Sequence, residues 1–404
     1  MSEKGEKPSN EVSGKVDLRS DVVVGLDREA AKTEKNRIEK KWLILGGSLA
    51  VLLAILAVLL AMIWSGGRAS ENGEKSFGLL PEALDSDRRA AISGLSGRSC
   101  EEADRRPIAV MLASDPITRP VSGFAEADMV WELPVLISDV IRLMAVYQCG
   151  RPDDIGSVRS ARHDYLFLAE GTDAVMAHWG GSYHALNRIA AGEFDTINAL
   201  TNPFGAYFRK NHLPAPYNGF TTYDNLWDAL TKLEYRTTTK FNEYDFKDDE
   251  AYDQRPAGGT LSINWPGIYR VHYEYNKETN RYERYWGGTK QLDGGGGKEA
   301  VAPSVVIVMR ANNQYADGPG GYNDVDVEGE GEAVVYQGGG VIKGTWRKDV
   351  LHKNDPVHFM DERGENIKFT RGQIWVMVVE PDIDVTWELT EVSPAASPSD
   401  SVLP

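Results

Sequence analysis

Arg159 and Arg162 are three residues apart in the stretch DIGSVRSARHDY, which covers residues 154–165. With Ser157 as the N-cap of a helix, both arginines lie in its first turns and on one face. Each then opposes the helix dipole, at a cost of about 0.3–1 kcal/mol. We therefore expect a negative group to offset the two guanidinium charges.

Two kinds of group can supply that charge, and the sequence leaves both open. One is an internal carboxylate, from the set Asp128, Glu132, Asp153 and Asp154. The other is an external phosphate or carboxylate, carried by a wall polymer or a lipid head group. The guanidinium groups and the free N–H groups of the helix would bind it, joined by Arg142 and His178.

The candidate ligand-binding residues are polar side chains at the ends of predicted strands or the starts of predicted helices, where open α/β sheets gather functional groups. They are Glu132, Arg142, Ser157, Arg159, Ser160, Arg162, His178 and Ser182. Two of them have simpler structural readings: His178 as a histidine hydrogen-bonded at a strand end, and Ser182 as a helix N-cap. Asp128 and Glu132, four apart in a predicted strand, are expected to pair with arginines rather than to act as an acid and base.

No sequence pattern indicates catalysis or a bound cofactor. The G-x-S-x-G and H-E-x-x-H motifs are absent, and the seven histidines lack the spacing of a metal cluster. We expect no metal and no cofactor, and the sequence favours a protein that is not an enzyme without settling the question. The net charge of −16 argues against nucleic acid as a partner, because phosphate backbones need a clustered basic surface.

An uncharged apolar run extends from Trp42 to Trp64, long enough to cross a bilayer core of about 30 Å as one helix. Basic residues are concentrated just before it, at Lys32, Lys35, Arg37, Lys40 and Lys41. The positive-inside rule therefore predicts a cytoplasmic N-terminus, with everything from Ser65 onward outside. Oxidation is permitted there, so Cys100 and Cys149 are expected to form a disulfide.

Composition and periodicity predict how the chain is organised. Residues 1–41 form a disordered cytoplasmic tail, 42–64 a transmembrane helix, 65–105 an extracytoplasmic stalk, 106–250 an α/β or α+β domain, 256–389 a mainly β domain and 390–404 a disordered tail. Helix-length stretches at 158–171 and 182–192 alternate with strand-like runs in the first domain. Short β-rich runs separated by glycine and asparagine turns fill the second. The predicted fold class is α+β, with a single transmembrane helix.

Nine stretches of the sequence together form an ordered pattern. They are RPIAVML, RPVSGFAEADMVWE, IRLMAVYQ, GSVRSAR, HWGGS and PAPYNGFTT, followed by YNKETNRYERYWGG, GEAVVYQGGGVIKGTWRK and NIKFTRGQIWVMVVE. In this order they resemble the YerB-like lipoprotein family of bacteria, whose domains have no known function: the first six resemble its N-terminal domain and the last three its C-terminal domain. The resemblance covers roughly residues 106–381 and implies a membrane-tethered, extracytoplasmic envelope protein. This chain departs from the family pattern in three ways. Its anchor has no cysteine for lipid attachment, and Tyr217 occupies a position where a histidine is expected. The stretch before IRLMAVY reads LPVLISDV, where an acidic, glycine-containing stretch is expected.

These features favour a membrane-anchored, extracytoplasmic binding or scaffolding protein of the bacterial cell envelope, which binds an anionic wall or lipid component. Its expected location is the plasma membrane, as a single-pass protein. Two alternatives remain: an enzyme acting on peptidoglycan or another wall polymer, and a structural partner of envelope-synthesis proteins. A cleft holding Glu132 and His178 would favour the enzyme, whereas converging arginines without a proton-transfer group would favour binding.

Overall fold

The computed structural model describes residues 91–136, 140–242, 244–316, 318 and 320–390, which belong to one compact unit. The predicted cytoplasmic tail, the predicted transmembrane helix, the stalk up to residue 90 and the tail from residue 391 lie outside the described residues. Within the described ranges, no helix is both long enough and apolar enough to span a membrane.

The described residues form three α-helices and many short strands. The helices are α1 His163–Gly171, α2 Tyr183–Ala190 and α3 Tyr223–Lys232. The strands of the first half are β1 Ala91–Ile92, β2 Ser99–Cys100, β3 Ile108–Ala113, β4 Met129–Leu136, β5 Val140–Tyr147, β6 Ile155–Gly156, β7 Val175–His178, β8 Thr196–Asn198, β9 Phe208–Arg209, β10 Gly219–Thr221 and β11 Phe246–Lys247. Those of the second half are β12 Gly258–Ile263, β13 Val271–Asn276, β14 Arg281–Trp286, β15 Thr289–Lys290, β16 Val305–Arg310, β17 Asn313–Tyr315, β18 Asn323–Val325, β19 Gly329–Gln337, β20 Gly340–Lys348, β21 His358–Asp361, β22 Phe369–Thr370, β23 Ile374–Val379 and β24 Val385–Leu389.

A ten-stranded sheet forms the centre, in the order β21-β20-β19-β16-β23-β4-β5-β3-β7-β8. It draws strands from both halves of the sequence, which meet where β4 and β23 pair in parallel. α1 packs against one face, while α3 and a second sheet pack against the other. A sheet covered on both faces needs strands that are apolar throughout, as in the fully buried IAVMLA run of β3.

The second sheet has five strands, in the order β15-β14-β13-β12-β24. Buried and more exposed residues alternate along its strands because only one face of this sheet lies against the ten-stranded sheet. In β14, for example, the buried residues are Tyr282, Arg284 and Trp286, and the residues between them are partly exposed. This alternation directs a charged side chain, Arg284, into the space between the two sheets.

The predicted fold class, α+β with a transmembrane helix, is wrong for the described part of the chain, which is mainly β. Its three helices are only eight to ten residues long and are greatly outnumbered by strands. Segments without a strand pattern, such as those of β6, β9 and β10, pair with each other in a small third sheet. The proposed boundary between domains at residues 250–256 stays a prediction.

The start of the first predicted helix is also wrong. α1 begins at His163, with Arg162 rather than Ser157 as its N-cap. The backbone before it is extended because its polar groups pair elsewhere: the Arg159 N–H donates to the Met111 carbonyl, and the Arg159 carbonyl accepts from Trp179 N–H. The helix-dipole argument therefore does not apply to Arg159.

The predicted disulfide between Cys100 and Cys149 is confirmed, with Cα atoms 5.8 Å apart. Cys100 ends β2, and Cys149 follows β5 two residues after its end. The bond ties the short β1-β2 hairpin to the central sheet. Ser182 is also confirmed as a helix N-cap, since its hydroxyl accepts from Ala185 N–H at the start of α2.

Candidate functional site

Three arginines lie near one end of β3, close enough for their charges to repel one another. Arg142 lies on β5 and pairs in register with Ala113, the last residue of β3. Arg159 and Arg162 lie on the extended segment 157–162, whose backbone bonds to the same end of β3. We call Arg142, Arg159 and Arg162 the arginine cluster.

The polar contacts of the cluster are mostly to neutral groups. Arg159 donates to the Pro216 carbonyl at 3.2 Å, and Arg162 donates to the Ala161 carbonyl at 3.0 Å. Arg142 has a carboxylate partner, Asp115, whose Oδ2 lies 2.9 Å from its Nη1. Among the described residues, Asp115 is the one carboxylate that forms an ion pair with the cluster.

Two tyrosine rings line the cluster. The Arg159 guanidinium lies 4.9 Å from the centre of the Tyr217 ring, and that of Arg162 lies 4.7 Å from the centre of the Tyr322 ring. An aromatic face attracts a cation but supplies no formal negative charge. Tyr322 is held in place by a bridge between its backbone and Leu136, at the end of β4.

Burial and mutual repulsion destabilise these charges. Burial, followed by the charge of Arg142, lowers the pKa of Arg162 to about 10. The same two causes lower the pKa of Arg159. Both groups still carry their charge at pH 7, so the protein bears the cost unless an anion offsets it.

Several buried polar atoms in this region have no hydrogen-bond partner within the described ranges. They are the Nε atoms of Arg142, Arg159 and Arg162 and the hydroxyl of Ser157. Arg162 is 7% exposed and Ser157 is 1% exposed. Buried donors are rarely left unpaired in native proteins, so each of these atoms lacks an acceptor that a native structure ordinarily supplies.

Glu132 is not brought into the cluster. Its side chain is enclosed between the two large sheets, where Oε1 and Oε2 accept from Arg284 Nη2 at 2.7 and 2.8 Å. Oε2 also accepts from the Trp375 indole N–H at 2.8 Å. Asp128 holds a different arginine, Arg98, at 2.7 Å. Both carboxylates thus pair with arginines, as expected from the sequence.

The other candidate residues have structural partners. His178 is fully buried at the end of β7, and its Nδ1 lies 2.7 Å from the Gly180 carbonyl. Burial lowers the pKa of His178 to about 4, so the ring is neutral at pH 7 and Nδ1–H donates in this bond. The Ser160 hydroxyl donates to the Trp179 carbonyl at 3.1 Å. Neither contact reaches the arginine cluster.

Sequence reasoning missed several residues of this region. Asp115, Tyr217 and Tyr322 were not among the candidates, although Tyr217 was noted as a departure from the family pattern. It also missed a second group beside the cluster, where ligand atoms of His163, Asp164 and Asp324 all lie within 4.8 Å of one another. The adjacent pair His163 and Asp164 was visible in the sequence, but its partner lies on β18, far along the chain.

Comparison with known proteins agrees with this architecture. The family described as "Protein of unknown function (DUF3048) N-terminal domain" matches residues 92–236, and the corresponding C-terminal domain matches residues 261–376. A relative from Bacillus subtilis (strain 168), named "Putative lipoprotein YerB", is 30% identical over 302 residues, which are 73% of this chain and 87% of the relative.

A solved structure, described as the crystal structure of YerB protein from Bacillus subtilis, has a similar fold. The TM-score is 0.66 at 26% sequence identity, and the match covers 74% of this chain and 99% of the other. These matches confirm the resemblance inferred from the ordered sequence stretches. The chain belongs to the YerB-like DUF3048 family of proteins of unknown function.

Proposed function

We propose that this protein is a membrane-associated binding protein of the bacterial cell envelope, and that its arginine cluster holds a phosphate or carboxylate group of an envelope component. The part of the chain that the structure describes faces the outside of the plasma membrane. Binding, rather than catalysis, is its function.

The cluster's unbalanced charge carries this proposal. Three guanidinium groups share one carboxylate among the described residues, and the Nε of each is buried without a partner. A guanidinium is planar and matches the oxygens of phosphate and carboxylate groups. An anion between Arg159 and Arg162 would supply the missing charge and the missing acceptors at the same time.

The disulfide and the relative's name support the location. A disulfide between Cys100 and Cys149 persists in an oxidising compartment, outside the cytoplasm. The relative from Bacillus subtilis is named as a lipoprotein, a class of protein that is tethered to the membrane surface.

The arrangement of Glu132 and His178 gives no support to an enzyme acting on wall polymers. Both oxygens of Glu132 are already bonded to Arg284. His178 is fully buried and bonded to its own loop. A proton-transfer group has to reach its substrate, and neither side chain is exposed to one.

Calorimetric titration of the full chain with inorganic phosphate tests the proposal directly. We expect saturable binding with a Kd of about 1 mM or tighter. Acetate tests the preference for a carboxylate, and vesicles with and without phosphatidylglycerol, together with soluble muropeptides, distinguish a lipid head group from a wall fragment. Arg159→Ala should abolish binding of all these ligands, because it removes one of the unpaired guanidinium groups.

Arg209→Ala is the matched control. Arg209 is exposed, lies over the Trp179 ring at 4.3 Å and donates to Asn218, so the same charge is lost outside the cluster. This variant should bind phosphate as the parent does. The proposal is overturned if phosphate, acetate, vesicles and muropeptides all fail to bind, or if the two variants weaken binding equally.

A further inference from the structure

A second group of side chains lies directly beside the arginine cluster. His163 and Asp164 begin α1, and Asp324 lies on β18, which packs against that helix. The Nε2 atom of His163 is 3.1 Å from Oδ1 of Asp164 and also 3.1 Å from Oδ1 of Asp324. An imidazole nitrogen carries at most one proton, so it donates to one of these oxygens at a time.

The spacing of these atoms fits a common metal ion. Histidine nitrogens and carboxylate oxygens bind zinc at about 2.0–2.2 Å. Two such ligands are therefore about 2.9 Å apart when they subtend a right angle at the ion, and about 3.3 Å apart at the tetrahedral angle. The two distances of 3.1 Å from His163 lie between these limits.

The burial of Asp164 provides an independent reason to expect a cation. The residue is 2% exposed, and its Oδ2 has no hydrogen-bond partner among the described residues. Its Oδ1 accepts from Val325 N–H at 3.3 Å. Burying a carboxylate is costly unless its charge is paired or it coordinates a metal, and one oxygen of Asp164 still lacks a partner within the described ranges.

The group of candidate ligands is accessible to solvent on one side. The Asp324 side chain is 48% exposed, so the group has a solvent side. On the protein side, the His184 ring centre lies 5.1 Å from that of His163, and the Nε2 of His184 is buried with no partner in the described part of the chain. A second buried imidazole is thus next to the His163 ring.

We propose that His163, Asp164 and Asp324 bind one divalent transition-metal ion, for which zinc is the appropriate probe. One imidazole with two carboxylates suits zinc or manganese, whereas magnesium and calcium prefer sites made of oxygen alone. This metal site is separate from the anion site. It shares no side chain with the arginine cluster, although His163 follows Arg162 directly in the sequence.

The test uses the full chain, purified without a polyhistidine tag and freed of metal by dialysis against EDTA. Competition with a chromophoric chelator then measures the number of Zn²⁺ ions bound and their affinity. We expect one ion per chain, and a cobalt-substituted sample should show the visible absorption of a site with nitrogen and oxygen ligands. Asp324→Asn and His163→Gln should each weaken zinc binding by about 10- to 100-fold or more.

Matched variants provide the controls. Asp326→Asn changes an exposed carboxylate two residues from Asp324, and His212→Gln changes an exposed histidine, so neither should alter zinc binding. Arg159→Ala should keep zinc and lose phosphate, which separates this proposal from the preceding one. Absence of saturable zinc binding at micromolar metal overturns the proposal, as does equal binding by the parent and both ligand variants.

Discussion

Arg284 and Arg162 are both buried guanidinium groups, but their surroundings differ. Burial acts to lower the pKa of Arg284. The charge of Glu132 and the contact with Tyr273 more than offset burial, so the pKa of Arg284 is raised. No carboxylate forms an ion pair with Arg162 in the described ranges, and burial lowers its pKa to about 10. The first charge is balanced inside the protein, while the second is not.

This difference separates a structural role from a binding role. The Glu132–Arg284 pair joins β4 of the ten-stranded sheet to β14 of the five-stranded sheet, and the Trp375 indole completes it. Both carboxylate oxygens of Glu132 therefore accept hydrogen bonds. The arginine cluster keeps its unmatched donors at the end of β3, where an external anion would complete the set. Variants in the two regions should therefore respond in opposite ways.

Glu132→Gln should give the largest effect on stability. The variant keeps the shape of the side chain but leaves Arg284 buried without its counter-charge, which typically costs about 3–5 kcal/mol. Urea-induced unfolding of the full chain, followed by tryptophan fluorescence, measures the change. Asp224→Asn is the control, because it breaks an exposed pair with Arg151 and should cost less than about 1 kcal/mol. Equal losses in the two variants would contradict the structural role of Glu132.

The titration of His178 should change the free energy of unfolding by about 3 kcal/mol between neutral and acidic pH. Its pKa is about 4 in the folded protein because of burial, against an ordinary value of 6.5. The unfolded chain therefore binds a proton between pH 6.5 and 4 that the folded chain does not. This contribution to stability is complete above pH 6.5 and is lost progressively as the pH falls toward 4.

Urea unfolding at pH 7.5 and pH 4.5 tests this, with His178→Asn as the comparison. The asparagine amide can still donate to the Gly180 carbonyl but does not titrate. The variant should lose less stability than the parent over this pH range. If both chains lose the same amount, the buried histidine does not titrate as its surroundings indicate.

Much of the strand pattern could be predicted from the sequence, because it depends on local periodicity. The apolar run of β3 matches a strand buried on both faces, and the alternation of β14 matches a strand buried on one face. The sheets themselves could not be predicted, since β4 and β23 are separated by more than half of the described chain. Pairing at such distance depends on the shapes of whole faces, which no local pattern encodes.

The candidate site was also predictable only in part, because its residues come from separate parts of the sequence. Arg159 and Arg162 were selected from a helix-dipole argument that proved wrong, because the segment before His163 is extended. They still lie near Arg142, because the segment 157–162 bonds to the end of β3 that pairs with Arg142. Asp115 follows the end of β3 and Tyr322 precedes β18, and nothing in their local sequence marks them as neighbours of the arginines.

Phosphate should stabilise the parent chain by an amount set by its occupancy of the cluster. At 100 times Kd the expected gain is about 2.7 kcal/mol, because phosphate binds the folded state alone. Glu132→Gln should gain the same amount from a lower starting stability, since the two regions share no side chain. Urea unfolding at several phosphate concentrations measures the gain, with sodium chloride at equal ionic strength as the control. A gain that chloride reproduces would indicate general screening rather than a site.

Arg162→Met should have the smallest effect on stability. The same substitution at Arg284 is its comparison. Methionine keeps the aliphatic stem that packs beside Tyr322, while it removes a charge that burial and Arg142 both destabilise. The lost hydrogen bond to the Ala161 carbonyl and the relieved repulsion should largely cancel, leaving stability within about 1 kcal/mol of the parent. Arg284→Met instead leaves the buried Glu132 carboxylate without its counter-charge, and should lower the free energy of unfolding by about 3–5 kcal/mol.

With phosphate present the two variants should again differ: Arg284→Met should still gain stability from the ligand, and Arg162→Met should not. Equal destabilisation by the two substitutions would mean that Arg162 is structural, and the distinction between the two regions would fail.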